Sequence, residues 1–249
     1  MSKPRFFVDR PVKFAVDITG PDARHIKDVL RIGVGDIIEA VDPEGTISDV
    51  EITSLLPDKV SGRVIASYRA REELPEVFLF QALPKASKMD DIVRQSTEIG
   101  VTGIFPVMTE RVVVKLESEK APKKVERWQK IAAEAAKQSH RTLIPSVNSV
   151  LTWMGALEKL REFDEIIVFW EEERGTLPYE VLDPAAKNIA VVIGPEGGLS
   201  DKEVLDLKGL GAKVVTLGES ILRVETAAPV AVALVLYDLR KIKKFPFSQ

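Results

Sequence analysis

The feature that most limits the fold of this chain is an alternation of apolar runs and amphipathic segments after residue 75. Residues 76–83 (EVFLFQAL) are almost continuously apolar, and residues 88–100 (KMDDIVRQSTEIG) carry apolar side chains at helical spacing behind a capping Ser87. Further predicted elements are the strands GIFPVM, EIIVFW, IAVVI and KVVTL and a helix that Pro122 opens, PKKVERWQKIAAEAAKQS. This alternation predicts a parallel sheet with helices on both faces, so residues 73–249 are assigned to one α/β domain.

The first 72 residues follow a different pattern. Short β-branched runs (RFFVD, FAVDI, DIIEAVD, TISDVEITSLL, KVSGRVIASY) are separated by Gly, Pro and Asp, with one helical insert, DARHIKDVL. They predict a small barrel or compact sheet. The charged stretch YRAREELPE, closed by Pro75, is the predicted linker to the second domain.

Composition excludes several classes of protein. The chain has no cysteine, which excludes disulfides, thiolate metal sites and a cysteine nucleophile, and its two histidines cannot form a histidine-rich metal site. The amino-terminal residues lack the apolar core of a signal peptide, and the longest apolar run, residues 227–237, is shorter than the roughly 20 residues that span a bilayer. We therefore expect a cytoplasmic protein without a metal.

Charge argues for selective rather than general binding of nucleic acid. The net charge of -3 is unsuited to a protein that coats RNA through bulk positive charge. Basic residues are nevertheless concentrated between residues 109 and 145 and acidic ones between 161 and 183. One face could therefore take a polyanion, or both segments could be solvated helix faces.

An unusual loop ends one of the predicted buried strands. Residues 191–200 read VVIGPEGGLS, so the strand runs into three glycines and a proline before Ser200, which caps the next helix with Glu203 at its third position. Ligands of parallel sheets lie beyond the carboxyl ends of the strands, and glycines let backbone approach a ligand closely. The spacing matches neither the Rossmann fingerprint nor the P-loop.

The next predicted strand also ends in a special loop. Residues 218–226 read GESILRVET, where Arg223 and Glu225 place opposite charges side by side and Thr226 is predicted to cap the following helix, with Pro229 in its first turn. Two consecutive loops of this kind at one sheet edge predict a single pocket. A surface ion pair is the alternative for Arg223 and Glu225.

At these residues the chain resembles a known family. IGPEGGLSDKE followed by LGESILRVETA is similar to the signature of the knotted SPOUT-class RNA methyltransferases, and more narrowly of the bacterial 16S ribosomal RNA uridine-N3 methyltransferases, the RsmE family. The resemblance continues through KMDDIVRQSTEIGV, ERVVVK, RWQKIAAEAAKQSHR, PRFFVD and HIKDVLRIGVGD, and so spans nearly the whole chain. Many members carry Thr after the arginine, where this chain has Val224.

The resemblance implies a fold, a cofactor and a partner. It implies a PUA-like β-barrel that binds RNA in residues 1–72 and a SPOUT trefoil-knot domain in residues 73–249. Members are homodimers that use S-adenosylmethionine to methylate 16S ribosomal RNA or the small ribosomal subunit. The cofactor-binding positions carried over to this chain are Leu83, Ile193, Gly194, Pro195, Glu196, Gly197, Leu217, Gly218, Leu222 and Thr226.

Charge and position provide candidates for catalysis and RNA binding. Arg223 is predicted to stabilise negative charge on the target base, and Glu225 to accept a proton or to orient Arg223. The predicted RNA-binding residues are Arg5, His25, Arg31, Lys88, Arg94, Arg111, Gln138 and Arg141, with Lys137 nearby. Phe6 and Phe7 could stack on bases, although at least one should lie in the core; Arg94 and Glu98 could be only a helical ion pair, and His140 an exposed helix-end residue.

Three alternatives stay open at this point. A knotted methyltransferase could act on a transfer RNA or a 2′-hydroxyl. The chain could be an RNA-binding module whose cofactor pocket no longer works. It could also be a nucleotide-binding α/β protein, although it has no phosphate-cradling lysine motif.

Overall fold

The computed structural model describes residues 3–69, 75–112 and 121–243, which fall into two compact units. The first unit comprises Met1–Glu72 with Ala136–Leu143, and the second comprises Glu73–Ala135 with Ile144–Gln249. The sequence interpretation left residues 136–143 in the second domain because they continue a helix that begins there. In the structure Lys137 donates a 2.8 Å hydrogen bond to Asp22, which ties this segment to the first unit.

A five-stranded sheet forms the first unit, in the order β1-β3-β4-β5-β2. β1 runs parallel to β3, and the other neighbours are antiparallel. The strands are β1 (Arg5–Phe7), β2 (Ala15–Thr19), β3 (Ile37–Val41), β4 (Thr46–Leu56) and β5 (Lys59–Arg69). The predicted helical insert is helix α1 (Pro21–Arg24), which continues as a π-helical turn (His25–Val29).

The core of the first unit forms between the sheet and this helical insert. Ile26 and Ile38 are fully buried, and Phe6 is 2% exposed and packs with them. Phe7, which points to the other side of its short strand, is only partly buried. Of the two aromatic residues considered for stacking on bases, Phe6 is therefore the core residue.

A parallel sheet of seven strands forms the second unit. Its order is β12-β10-β11-β6-β7-β8, and the short β9 also pairs with β7. The strands are β6 (Glu76–Ala82), β7 (Gly103–Met108), β8 (Ser146–Val147), β9 (Leu151–Thr152), β10 (Glu165–Phe169), β11 (Asn188–Ile193) and β12 (Lys213–Val215). The parallel sheet predicted from the apolar runs is confirmed.

Helices cover both faces of this sheet. The helices are α2 (Lys88–Ile99), α3 (Ala121–Gln138), α4 (Trp153–Leu160), α5 (Pro178–Val181), α6 (Asp201–Gly209) and α7 (Val224–Lys243). Side chains of α2, α3 and α7 pack on one face with Val77 and Leu79 of β6, and those of α4 and α6 pack on the other with Phe80. Successive residues of β6 thus enter opposite cores, as expected for a strand buried on both faces.

The helix ends predicted from local sequence are confirmed in part. Ser200 and Glu203 form the predicted capping box of α6. Ser87 precedes α2 as predicted, but its side chain makes no capping hydrogen bond. α7 begins at Val224, so Thr226 lies within its first turn, where its amide donates to the Arg223 carbonyl at 2.8 Å, and Pro229 lies inside the helix.

No helix among the described residues combines the length and apolar character needed to cross a membrane. In the same part of the chain, no group of three or more His, Cys, Asp or Glu side chains is placed to hold a metal ion.

Candidate cofactor pocket and active site

Three neighbouring strands of the second unit end at the same level. In the strand register, Phe169 at the end of β10 pairs with Ile193 at the end of β11 and with Val215 at the end of β12. The loops that follow are named here the acidic loop (residues 170–177), the glycine loop (residues 194–200) and the arginine loop (residues 216–223). Together they enclose a cavity of about 640 Å³ at the carboxyl edge of the sheet.

The structure brings most of the predicted cofactor-binding residues to this cavity. Those that line it are Ile193, Gly194, Pro195, Glu196, Gly197, Leu217, Gly218 and Leu222. Leu83 and Thr226 do not line it. Leu83 is buried in the core, where its amide donates to the Val107 carbonyl, and Thr226 is exposed on α7.

Sequence reasoning missed the acidic loop. Trp170, Glu171 and Arg174 line the cavity, yet the acidic run had been interpreted only as a charged face. Glu173, also at the cavity, accepts hydrogen bonds from the Gly175 and Thr176 amides, which close the loop and lower the pKa of this carboxyl. The signal was available, because the predicted strand EIIVFW ends at the same sheet edge as its two neighbours.

Two glycines of the pocket are required for different reasons. A Cβ on Gly194 would lie 2.9 Å from the Leu199 nitrogen and 3.0 Å from the Gly198 carbonyl carbon, so any side chain there would force the glycine loop apart. At Gly218 a Cβ would meet open space, but the backbone has a φ of +107°, which side chains with a Cβ rarely adopt. The first position excludes larger residues by space and the second by conformation.

Contacts from Lys85 and Lys88 to Glu196 hold the glycine loop. The Glu196 carboxylate accepts hydrogen bonds from the Lys85 amide at 3.0 and 3.2 Å and contacts the Lys88 ammonium at 3.0 Å. Burial raises the pKa of Glu196. Its own backbone amide, Lys88 and the Lys85 amide together lower the pKa by more than burial raises it, so the net shift is downward. Glu196 therefore fixes the loop as a carboxylate.

Arg111 is a second brace on the same loop. Its guanidinium donates to the Gly197 carbonyl at 2.9 Å and to the Leu199 carbonyl at 3.4 Å. On the far side of the loop, Glu203 accepts from the Glu110 amide at 2.8 Å and from the Ser200 amide at 2.9 Å. Arg111, predicted from its charge to bind RNA, thus holds the backbone of the glycine loop in this structure.

The two predicted catalytic residues differ in how they are held. Arg223 is exposed and lies between two cavity-lining residues, Leu222 and Val224, and no ion pair or side-chain hydrogen bond to another described residue fixes its guanidinium. Glu225 Oε2 lies 3.2 Å from the Lys88 Nζ. The backbone amide of Glu225 holds the pKa of its carboxyl below the usual value, and Lys88 and Arg223 lower it further.

The predicted RNA-binding residues are divided between the two units. In the first unit, the Arg5 side chain is 7% exposed, pairs with Glu39 at 2.8 Å, and donates to the carbonyls of His140 and Arg141. His25, Arg31 and Gln138 are exposed in that unit. Its remaining predicted RNA-binding residue, Arg141, is partly buried there.

In the second unit, Arg94 pairs along its own helix. Its guanidinium lies 2.9 Å from Asp91 and 3.6 Å from Glu98. The helical pairing with Glu98 anticipated from the sequence is therefore present. Lys88, as described above, contacts two carboxylates.

Comparison with known proteins links this architecture to one group of enzymes. Residues 71–236 match the model of an RNA methyltransferase domain, and residues 18–65 match that of an RNA methyltransferase PUA domain. The chain is 36% identical to ribosomal RNA small subunit methyltransferase E of Bacillus subtilis, over 91% of each chain, and 30% identical to that of Mesomycoplasma hyopneumoniae, over 90% of this chain and 95% of the relative.

The fold matches as well as the sequence. The crystal structure of a ribosomal RNA small subunit methyltransferase E from Neisseria gonorrhoeae bound to S-adenosyl methionine superposes with a TM-score of 0.84, at 28% identity, over 97% of this chain and 98% of the other. The PUA-like first domain and the α/β second domain expected from the sequence are confirmed.

Proposed function

Because the chain belongs to the ribosomal RNA small subunit methyltransferase E family, we propose that it transfers the methyl group of S-adenosylmethionine to N3 of a uridine in 16S ribosomal RNA of the small subunit. The observation that carries the proposal is the cavity at the carboxyl edge of the sheet, bordered by the glycine loop and the arginine loop. Its position beside Arg223 joins a site for the methyl donor to a cation that can face the target base.

The cavity fits this cofactor in size and in chemistry. About 640 Å³ lies within the range of pockets that bury a small ligand, and Ile193, Leu217 and Leu222 supply apolar surface for an adenine. S-adenosylmethionine also carries a sulfonium, an ammonium and a carboxylate. Glu171 and Arg174 bring groups of opposite charge to the same cavity, one for the cations and one for the carboxylate.

Transfer requires the target base to lose a proton. When bound, S-adenosylmethionine would supply an electrophilic methyl group, and N3 of the uridine would give up its proton to solvent as it accepts that methyl. Arg223 stabilises the negative charge that develops on the base. An exposed guanidinium without a competing partner among the described residues is suited to this task.

Glu225 is assigned an electrostatic role rather than that of the final proton acceptor. The pKa of its carboxyl is lowered by its own backbone amide, by Lys88 and by Arg223, so it is a weak base at neutral pH. As a carboxylate it attracts the Arg223 guanidinium at longer range, without an ion pair that would hold the guanidinium away from the base.

We further propose that the enzyme works as a homodimer in the cytoplasm, where ribosomal subunits assemble. Apolar side chains on the packed pair of helices α2 and α7 support pairing of two copies: Ile99 is 38% exposed and Tyr237 is 53% exposed. Light scattering on the purified protein should give twice the mass of one chain; a single-chain mass at working concentration would contradict the homodimer.

The function is tested by transfer to small ribosomal subunits and to free ribosomal RNA, both lacking the modification. After incubation with S-adenosylmethionine, the RNA is digested and its nucleosides are separated by mass spectrometry. We expect N3-methyluridine, and the preferred substrate shows whether free RNA or the assembled subunit is recognised. A 2′-O-methylated nucleoside, or none while the cofactor still binds, would overturn the proposed target.

A further inference from the structure

One side chain joins the glycine loop to the first turn of α7, which follows the arginine loop. Lys88 is the first residue of α2, and its ammonium lies 3.0 Å from Glu196 Oε1 and 3.2 Å from Glu225 Oε2. Glu196 belongs to the glycine loop and lines the cavity, whereas Glu225 follows Arg223 in the first turn of α7. Lys88 thus contacts both the cofactor side and the catalytic side of the proposed site.

We infer that Lys88 is a positioning residue for methyl transfer, which holds the glycine loop and the start of α7 in a single arrangement. The inference rests on the proposed function. It assigns Lys88 a role different from the RNA-phosphate contact that its charge first suggested. An RNA phosphate at this place would have to compete with two carboxylates that already surround the ammonium.

Lys88 stands at the start of a helix, α2, that is anchored in the core. α2 is anchored by Met89, Ile92 and Val93, which are at most 2% exposed and lie in the core that also contains α7. A cation on a fixed helix end can therefore set the position of the glycine loop relative to the first turn of α7. Without it, the carboxylates of Glu196 and Glu225 would be close like charges with no cation between them, and their repulsion would push the glycine loop away from α7.

The charge states support this geometry. Glu196 and then Glu225 raise the pKa of Lys88, so the bridging group is an ammonium. All three side chains are partly exposed, between 22% and 32%, so each contact is worth less than in a dry interior but more than on an open surface. The charged groups that act on Glu225 are Lys88 on α2 and Arg223 on the arginine loop, and Glu196 on the glycine loop contacts the same Lys88 ammonium.

The test compares Lys88→Met, which keeps the aliphatic stem, with Lys88→Arg, which restores a cation. Lys187→Met is the matched control, because Lys187 is exposed at the opposite, amino-terminal edge of the sheet. Calorimetry gives the Kd for S-adenosylmethionine, and transfer to small subunits gives kcat and KM. We expect Lys88→Met to weaken cofactor binding and to lower kcat, each by about tenfold, with KM for subunits unchanged.

A pH profile separates positioning from a general loss of structure. Removing Lys88 lets the pKa of Glu225 rise towards its usual value, so the carboxylate is lost at a higher pH. The acid limb of the kcat profile should therefore move to higher pH in Lys88→Met and return in Lys88→Arg. Lys187→Met should match the wild type in the Kd, in kcat and in the position of that limb.

Several outcomes would overturn the inference. If Lys88→Met raised only KM for subunits, Lys88 would be an RNA ligand; if it changed nothing, it would have no role. Should that variant fail to fold, Glu196→Gln breaks one arm of the bridge and must still weaken cofactor binding. The binding measurement needs no RNA, so a wrong RNA target leaves it intact, whereas a wild type that does not bind S-adenosylmethionine ends both proposals.

Discussion

The carboxyl edge of the parallel sheet and the cations of the first unit were both predicted to bind ligands, but they differ in the structure. The residues of the sheet edge line a cavity, whereas several of the cations pair with groups of the same chain. At the sheet edge, Gly194 and Gly218 come together around one cavity. In the first unit, Arg5 is buried in an ion pair with Glu39, and Lys137 pairs with Asp22. The position of a glycine-rich loop after a buried strand can be predicted from the sequence. The partner of a basic residue cannot, because it can be RNA or a carboxylate of the same chain.

The same contrast holds within the second unit. Arg94, Lys88 and Arg111 were selected as RNA-binding residues by charge, and each has a partner in the structure: two carboxylates for Arg94, two for Lys88 and two backbone carbonyls for Arg111. Arg223 has no such partner among the described residues. A cation that has no ion-pair partner and stands between cavity-lining residues is therefore the better candidate for contact with substrate.

The largest effect is expected from removing that cation. Arg223→Ala should lower kcat for methyl transfer by about 100-fold or more, because a donor that stabilises developing charge is lost in the transition state. Cofactor binding should stay near the wild-type level, since Arg223 does not line the cavity. Transfer assays with calorimetry check both; full activity in Arg223→Ala would remove Arg223 from the mechanism.

The comparison is sharpened in the first unit by Arg5→Met. Loss of a guanidinium that is 7% exposed leaves the Glu39 side chain, which is 12% exposed, without its main partner, so we expect the free energy of unfolding to fall by about 3 kcal/mol. The matched control is Lys59→Met, whose ion pair with Asp17 is 41% and 55% exposed and should matter by less than about 1 kcal/mol.

Urea denaturation measures the stability of both variants. Unchanged stability in Arg5→Met, together with weaker binding to ribosomal RNA, would show that Arg5 binds RNA and does not stabilise the first unit. The difference between the two regions would then not hold.

A smaller effect is expected at the second glycine of the pocket. Gly218→Ala introduces a Cβ where there is space but where φ is +107°, so it should destabilise the arginine loop by about 1 to 3 kcal/mol. The cost should appear as weaker binding of S-adenosylmethionine in a calorimetric titration. Binding equal to the wild type would show that the loop adopts a different backbone conformation when it holds the cofactor.

The smallest effect is expected at Arg94. Its ion pairs lie within α2 and its side chain is 48% exposed, so Arg94→Ala should change the free energy of unfolding by less than about 0.5 kcal/mol. Thermal unfolding at low and high salt checks this. A large loss of affinity for ribosomal RNA with unchanged stability would show that the guanidinium leaves its helix to bind substrate.

Much of the fold could be predicted from local sequence. The buried strands were recognised as apolar runs, and Ser200 with Glu203 indicated the start of α6. The start of α7 was placed too late because Thr226 resembles a cap, although the helix begins at Val224, which is 5% exposed and packs into the core. The knotted path was implied by the resemblance alone, because threading is a property of the whole chain.

The site was predicted in part for a similar reason. The glycine loop is marked by its glycines, and the arginine loop by Gly218 and by the opposite charges of Arg223 and Glu225 at its end. Both signals are visible in the local sequence. The acidic loop has no such mark, and its place at the cavity follows only from the register of Phe169 with Ile193 and Val215. Likewise, the bridge from Lys88 to Glu196 and Glu225 joins residues that are distant in sequence, so no local pattern could have shown it.

The measurement that tests the central claim most directly is a titration of S-adenosylmethionine into the wild type, Gly194→Val and Gly209→Ala. At Gly209 a Cβ would meet nothing within 4 Å, whereas at Gly194 it would meet the glycine-loop backbone at 2.9 Å. We predict binding of one cofactor per chain to the wild type and to Gly209→Ala, and none to a folded Gly194→Val. Normal binding by Gly194→Val would contradict the assignment of the cofactor to this cavity.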